Sequence, residues 1–156
     1  MRKTKRSSTD ELGGLTRAQG QAWSAFLRAH AQIVSDMNAD LESGGGMPLT
    51  HYDVLRQLAR APDQRMRMAD LAERVMLSRP GLTGVVTRLE QQNLIRRERA
   101  ADDGRGLYAI LTASGSARLL TAHPTHVRSI RRRFATHYTA DELHVLAELL
   151  GRLTRT

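Results

Sequence analysis

Residues 68–111 read MADLAERVMLSRPGLTGVVTRLEQQNLIRRERAADDGRGLYAIL, and this stretch decides the fold. It predicts a helix over residues 67–76, a turn, a second helix from Ser78, and then a two-stranded hairpin. Ser78 is an N-cap residue, whose hydroxyl can accept a bond from a first-turn N–H that the helix leaves unpaired. Pro80 follows in the first turn, where a missing N–H costs nothing. Leu82, Val85, Val86 and Leu89 recur at i, i+3, i+4 and i+7, which makes one apolar face. The other face carries Pro80, Gly84, Thr87 and Gln91, flanked by Thr83 and Arg88, with no large hydrophobe. Gly81 and Gly84 each cost about 1 kcal/mol relative to alanine inside a helix. Such a helix needs its backbone to come close to something.

After Asn93, a helix stop, the period changes. Residues 94–99 and 107–111 are short strands, and residues 100–106 between them hold Asp102-Asp103-Gly104 as turn chemistry. Helix, turn, helix and hairpin make a winged helix-turn-helix. The N-terminal half of its second helix is expected in a DNA major groove, reached through Ser78, Arg79, Pro80, Gly81, Thr83, Gly84, Thr87 and Arg88. Arg105, between Gly104 and Gly106 at the hairpin tip, is expected in the neighbouring minor groove, where the negative potential attracts arginine.

These residues resemble the MarR-type (multiple antibiotic resistance regulator) winged-helix repressors. The resemblance rests on Asp70-Leu71-Ala72, Leu77-Ser78, Leu82-Thr83, Val86-Thr87-Arg88-Leu89-Glu90, Asp103-Gly104-Arg105 and Leu111-Thr112-x-x-Gly115, and spans residues 23–153. Gln92-Asn93-Leu94 departs from the family, which usually has glycine at the helix end; asparagine also tolerates a left-handed C-cap. The resemblance implies a dimeric repressor on a pseudo-palindromic operator in double-stranded DNA. It also implies that a small anionic aromatic ligand, bound near the dimer–DNA junction, resets the spacing of the two reading heads. Asp103 is open to two readings: a turn residue, or an ion-pair partner for an arginine such as Arg88 that locks the wing.

The formal net charge is +8, from 24 Lys+Arg against 16 Asp+Glu in 156 residues. That excess favours a polyanionic partner, nucleic acid or an anionic membrane surface. No apolar run approaches the about 18 residues that would span a bilayer, so no membrane partner is expected. The N-terminus MRKTKRSSTDELGG is polar, with no apolar segment behind it, and the expected location is the cytoplasm. There are no cysteines, which excludes disulfides, thiolate metal sites and the cysteine-based peroxide sensing of some MarR-type proteins.

The fold class expected is mainly α with a small β-hairpin wing, with a winged-helix core flanked by dimerisation helices. Residues 1–14 form a basic arm, flexible or touching phosphate. Residues 15–156 form a single domain, with the DNA-binding core over 50–111 and dimerisation helices over 15–42 and 112–154. In the first long helix Trp23, Phe26, His30, Ile33 and Met37 make an apolar seam. Residues 43–48, SGGGMP, read as a linker. Thr50-His51-Tyr52-Asp53 reads as a capping box. Thr112 caps a helix running to about residue 136, which Pro124 should kink or break. Thr139-Ala140-Asp141-Glu142 caps the last helix, where Leu143, Leu146, Leu150 and Leu153 repeat in a heptad-like way.

His123-x-x-His126 has a metal-like spacing, but Pro124 lies between the two and no carboxylate is near in sequence, so no metal is expected. His30 reads as a packed histidine. Arg128, Arg131, Arg132 and Arg133 read as a solvated helix face, or else as a phosphate-facing patch. Trp23 and Asp53 resemble a ligand-binding pattern in the urate-responsive branch of the family, with Arg88 and Arg99 as candidates for its arginines. The plainer reading, which we prefer at this point, is a core tryptophan and a capping aspartate. No catalytic constellation is present: no G-x-S-x-G, H-E-x-x-H, phosphate loop or G-x-G-x-x-G. The chain is expected to be a ligand-responsive, sequence-specific regulator, not an enzyme, with no cofactor. A non-specific or architectural nucleic-acid binder is the alternative, and a protein–protein module a third.

Overall fold

The computed structural model describes residues 14–99 and 106–154. Helices α1 (Arg17–Gly45) and α2 (Leu49–Arg60) lead through a 3₁₀ turn, Pro62–Gln64, to strand β1 (Arg65–Arg67). Helices α3 (Met68–Arg74) and α4 (Arg79–Gln91) follow, then strands β2 (Ile95–Arg99) and β3 (Leu107–Leu111). Helix α5 (Ala113–Arg133), a second 3₁₀ turn and helix α6 (Ala140–Gly151) complete the order. The chain is mainly helical, with the expected wing strands. It divides after Asp36 into two units.

In the first unit, Thr16 and Gln19 cap the start of α1 reciprocally. The Gln19 N–H donates to Thr16 Oγ1 (3.3 Å), and the Thr16 N–H donates to Gln19 Oε1 (2.8 Å). Beyond the cap, Trp23, Phe26, Leu27 and Val34 stand exposed. The rings of Trp23, Phe26 and His30 follow one another at 6.1 and 6.2 Å, so His30 belongs to an exposed aromatic row rather than to a packed core.

The second unit has a core built on Leu41, Tyr52, Leu55, Leu58, Leu71 and Leu89, all fully buried. Each contributes about 1.5–3 kcal/mol by leaving water. Helix α4 supplies all four residues of its apolar face, Leu82, Val85, Val86 and Leu89. Asn93 does end it, with φ +58°. The hairpin is part of a three-stranded antiparallel sheet in the order β1-β3-β2. The third strand, Arg-Met-Arg, is too short to show a period.

Three expectations about connections change. The box at Thr50–Asp53 does not form, because α2 begins at Leu49 and Thr50 is already inside the first turn. The Leu49 N–H donates instead to Asn38 Oδ1 at 2.9 Å, so α1 caps α2 through a long-range contact. Residues 43–48 are not a free linker. The helix runs to Gly45, Gly46 turns the chain at φ +65°, and the Met47 N–H returns to the Leu41 carbonyl at 3.3 Å. A Cβ at Gly44 would lie 3.2 Å from Thr125 Cγ2, and one at Gly45 3.5 Å from the Ala122 Cβ, so α1 ends flush on α5. Helix α5 runs unbroken through Pro124, capped by Thr112 Oγ1, which accepts from the Gly115 N–H at 2.9 Å. On either side of Pro124 the His123 and His126 rings pack against Tyr52 of α2.

The apolar residues of the last two helices are only partly covered. Leu120, Val145, Leu149 and Leu150 are exposed and Leu143 and Leu146 half-buried, while Leu153, expected in the seam of the last helix, lies exposed beyond its end at Gly151. The capping box at Thr139 and Glu142 is present.

Candidate nucleic-acid interface

Helix α4 begins as its sequence predicts. Ser78 Oγ accepts from the Gly81 N–H at 3.2 Å, and Pro80 stands in the first turn. Burial of the apolar face turns the other side outward. Arg79, Pro80, Gly81, Thr83, Gly84 and Arg88 are exposed, and Thr87 is half-buried. Among the described residues nothing lies within 4 Å of a Cβ placed on Gly84, so no contact with them demands glycine there. The glycine leaves a shallow strip along which a large partner can approach the helix backbone. The Thr83 hydroxyl donates to the Arg79 carbonyl at 2.9 Å, which keeps its oxygen free to accept.

The structure brings eight of the ten expected DNA-contacting residues onto or beside this strip. The other two, Asp103 and Arg105, lie outside the described residues, so neither reading of Asp103 is decided.

Glu90, near the end of α4, is bound by Arg97 of β2. The Arg97 backbone N–H donates to Glu90 Oε1 at 3.1 Å and its Nε to Oε2 at 2.8 Å, and Nη2 adds an ion pair to Oε2. The guanidinium holds the Glu90 carboxyl below its ordinary range. Recognition helix and wing strand are thereby joined by charge as well as by packing. The sequence offered a signal for this pair, an acid and a base on either side of the Asn93 turn, but arginines crowd that stretch too densely to single one out.

At the foot of the wing, Arg67, Arg79 and Arg97 line a cavity of about 310 Å³ together with Met68, Leu82 and Leu107. Cationic edges and apolar walls there suit a small acid with a hydrophobic body.

Trp23 and Asp53 are placed as follows. Trp23 is exposed on α1, not a core residue. Asp53, half-buried on α2, does not cap; it pairs with Arg56 at 3.2 Å. The candidate arginines Arg88 and Arg99 are both exposed.

His123 and His126 converge on Tyr52. The buried Tyr52 hydroxyl, which burial keeps protonated, shares a hydrogen bond of 2.7 Å with His123 Nδ1. The His126 ring packs 4.2 Å from the Tyr52 ring, buried, with Nδ1 unpartnered. Burial holds His126 and His51 neutral, with pKa values below the ordinary histidine range. Among the described residues no three metal-ligating side chains come together, and no helix is long and apolar enough to cross a membrane.

The arginine run on α5 is not simply solvated. Asp40 of α1 receives Arg132 Nη2 at 2.6 Å, Arg133 Nη2 at 3.2 Å and the buried Ser129 hydroxyl at 2.7 Å. Sequence reading missed Asp40 because its partners lie some ninety positions away.

The sequence model of the MarR family matches residues 45–106. Two solved structures from Streptomyces coelicolor align over 90% of the chain. Sco3205, a MarR family transcriptional regulator in complex with DNA, is 31% identical over 88% of its own chain, with a TM-score of 0.83. AbsC, also a MarR family transcriptional regulator, is 34% identical over 94% of its chain, with a TM-score of 0.82. The homoprotocatechuate degradative operon repressor of Escherichia coli is 36% identical over 64% of this chain and 65% of its own length, slightly under two thirds. A shared identity above 30% along nearly whole chains places this protein in the MarR family.

Proposed function

We propose that the chain is a homodimeric, sequence-specific DNA-binding transcriptional regulator, a repressor relieved by a small molecule, working in the cytoplasm. The observation that carries this reading is the outward strip of α4, small and polar, with glycine at 84 where the fold asks for none. A MarR family protein with that strip has its recognition helix ready for a major groove. Arg79 and Arg88 offer guanidinium edges suited to guanine or phosphate. Thr83, whose proton is already engaged, offers an acceptor to the amino group of cytosine or adenine. Arg105 and Asp103 act at the wing tip on the strength of the family resemblance, and the ligand roles of Trp23 and Asp53 rest on the same ground. The exposed apolar row of α1 and that of α6 each offer surface for a second copy to cover. The cavity between Arg79, Arg97 and Leu107 is where a small anionic aromatic ligand would act, since it touches both the helix and the wing.

The test is a titration of wild type, Thr83→Ala, Thr87→Ala and Arg105→Ala against an inverted repeat from beside its own gene and against a scrambled duplex, at several salt concentrations. A specific regulator prefers its site by about 10³-fold or more. Arg105→Ala should lose roughly 1–3 kcal/mol per half-site and flatten the salt dependence, while the threonine variants relax sequence preference at an unchanged salt slope. Equal affinity for both duplexes would make the protein a non-specific nucleic-acid binder instead.

A further inference from the structure

The wing sheet has a second face, turned away from α4. Cross-strand partners in a ladder share a face, and the register pairs Arg67 with Tyr108, and Arg65 and Arg96 with Ile110. Arg97 belongs to the opposite face, where it holds Glu90. On the outer face the Arg65 guanidinium lies 4.1 Å over the Tyr108 ring and that of Arg67 5.4 Å. Arg67 Nε also donates to the Tyr108 hydroxyl at 3.2 Å. Beside this platform lies a concavity of about 470 Å³, lined also by Arg60, the last residue of α2, and Arg74, the last of α3. Among the described residues Asp70 also lines the hollow, and Glu98, opposite Tyr108 in the ladder and so on the same face, forms an ion pair with Arg96.

Arg60, Arg65 and Arg74 bring three cations to one hollow beside Arg67, and like charges so gathered repel one another. The ring of Tyr108 relieves part of the repulsion by accepting two guanidiniums on its π-face. Stacking also orders them, which lowers the entropy lost when a guanidinium grips an oxyanion. The cations do not converge on one point. They stand on three elements, Arg60 at the end of α2, Arg65 and Arg67 on the edge strand and Arg74 at the end of α3, and the platform stands on the strand that leaves the wing. A string of cations fits a repeating anion better than a single one.

We propose that this outer face binds the phosphate backbone of DNA that flanks the operator, beyond the base pairs reached by α4 and the wing. The inference rests on the DNA-binding reading above and extends it to a second, sequence-independent contact.

The experiment compares two duplexes: an operator cut at its ends, and the same operator lengthened on each side by about one helical turn of arbitrary sequence. Wild type should bind the longer duplex roughly three- to tenfold tighter, with a salt slope steeper by about 0.9 for each added phosphate contact. The double variant Arg65→Gln, Arg74→Gln should bind both duplexes alike, and should bind the short one as wild type does. Thermal unfolding of the variant and its affinity for the short duplex show that it is folded. Arg67 is left in place because it supports Tyr108. If wild type gains nothing from the flanks, the inference is overturned. If inorganic phosphate raises the melting temperature of wild type but not of the variant while flanks have no effect, the face is a small-oxyanion site and the backbone assignment is equally overturned. If wild type binds neither duplex, the functional reading itself has failed and this inference falls with it.

Discussion

Arg97 grips Glu90 with its main chain and its side chain together, so the last turn of α4 and the first strand of the wing are bound at one carboxylate. Replacing Glu90 by glutamine keeps the shape and removes the charge. The pair is about one third exposed, so the loss of stability should be modest, about 1 kcal/mol by chemical denaturation. Operator affinity should fall further than stability does, because the helix and the wing lose their fixed relation.

Asp40 receives two arginines and a buried serine on α5. Asp40→Asn should cost roughly 1.5–3 kcal/mol, read as a fall in the denaturation midpoint. The Arg133, Ser129 and Arg132 contacts hold the Asp40 carboxyl well below the usual aspartate range. In the unfolded chain that carboxyl titrates near about 3.9. Its contribution is therefore complete above about pH 5 and drains away as pH falls through the ordinary aspartate value. The acid limb of the stability curve should be shallower in Asp40→Asn.

His51 and His126 are both held neutral by burial, with lesser electrostatic influences of Arg88 on His51, and of Asp53, Arg56 and His123 on His126. The folded state binds a proton less readily than the unfolded state does, so stability is full above the unfolded histidine value of about 6.5 and is lost as pH falls below it. A stability series from pH 8 to pH 5 should decline in wild type. His126→Phe, which keeps the stack on Tyr52, should lessen the decline, leaving the share due to His51. An identical slope in the variant would mean that His126 is not the group concerned.

Gly115 sits where the start of α5 crosses the end of the α4–β2 turn. A Cβ there would lie 2.1 Å from the Leu94 carbonyl oxygen. Backbone must shift to admit it, and Gly115→Ala should lower stability by about 3 kcal/mol, at the upper end of overpacking effects. Gly84→Ala, with open space around it, should be neutral or slightly stabilising in the free protein and should show its cost only on DNA.

Leu149 is 47% exposed on α6. Since it supports little within its own chain, Leu149→Glu should leave the helical signal unchanged. It should shift sedimentation at micromolar concentration from dimer to monomer by burying an unpaired charge in the interface. A variant that remains dimeric would remove α6 from the contact.

What the sequence made legible was local. Ser78, Asn93, Thr112 and Thr139 mark element ends by chemistry that acts within a turn or so, and all four do so in the structure. The four-residue apolar period of α4 left only one face for a partner. What stayed hidden was tertiary. Asn38 caps α2 from another helix, Asp40 finds partners on α5, and β1 is strand only because β3 lies beside it. Thr50–Asp53 has the letters of a cap in the wrong register. Of the candidate site, the helix residues were readable from spacing. The tie between Glu90 and Arg97 and the platform on Tyr108 needed the register of the sheet.

Gly44-Gly45-Gly46 has the look of a place to cut, tag or lengthen the chain, and its packing gives the opposite instruction. A protease must draw out several residues of backbone to cleave, and here it would first have to peel α1 off Thr125 and Ala122. An inserted residue would rotate Met47 out of the core and move the Leu49 N–H away from Asn38. For anyone fusing a reporter or splitting the chain, this triple glycine is a packed corner with Gly45 buried at its centre, and the join belongs elsewhere.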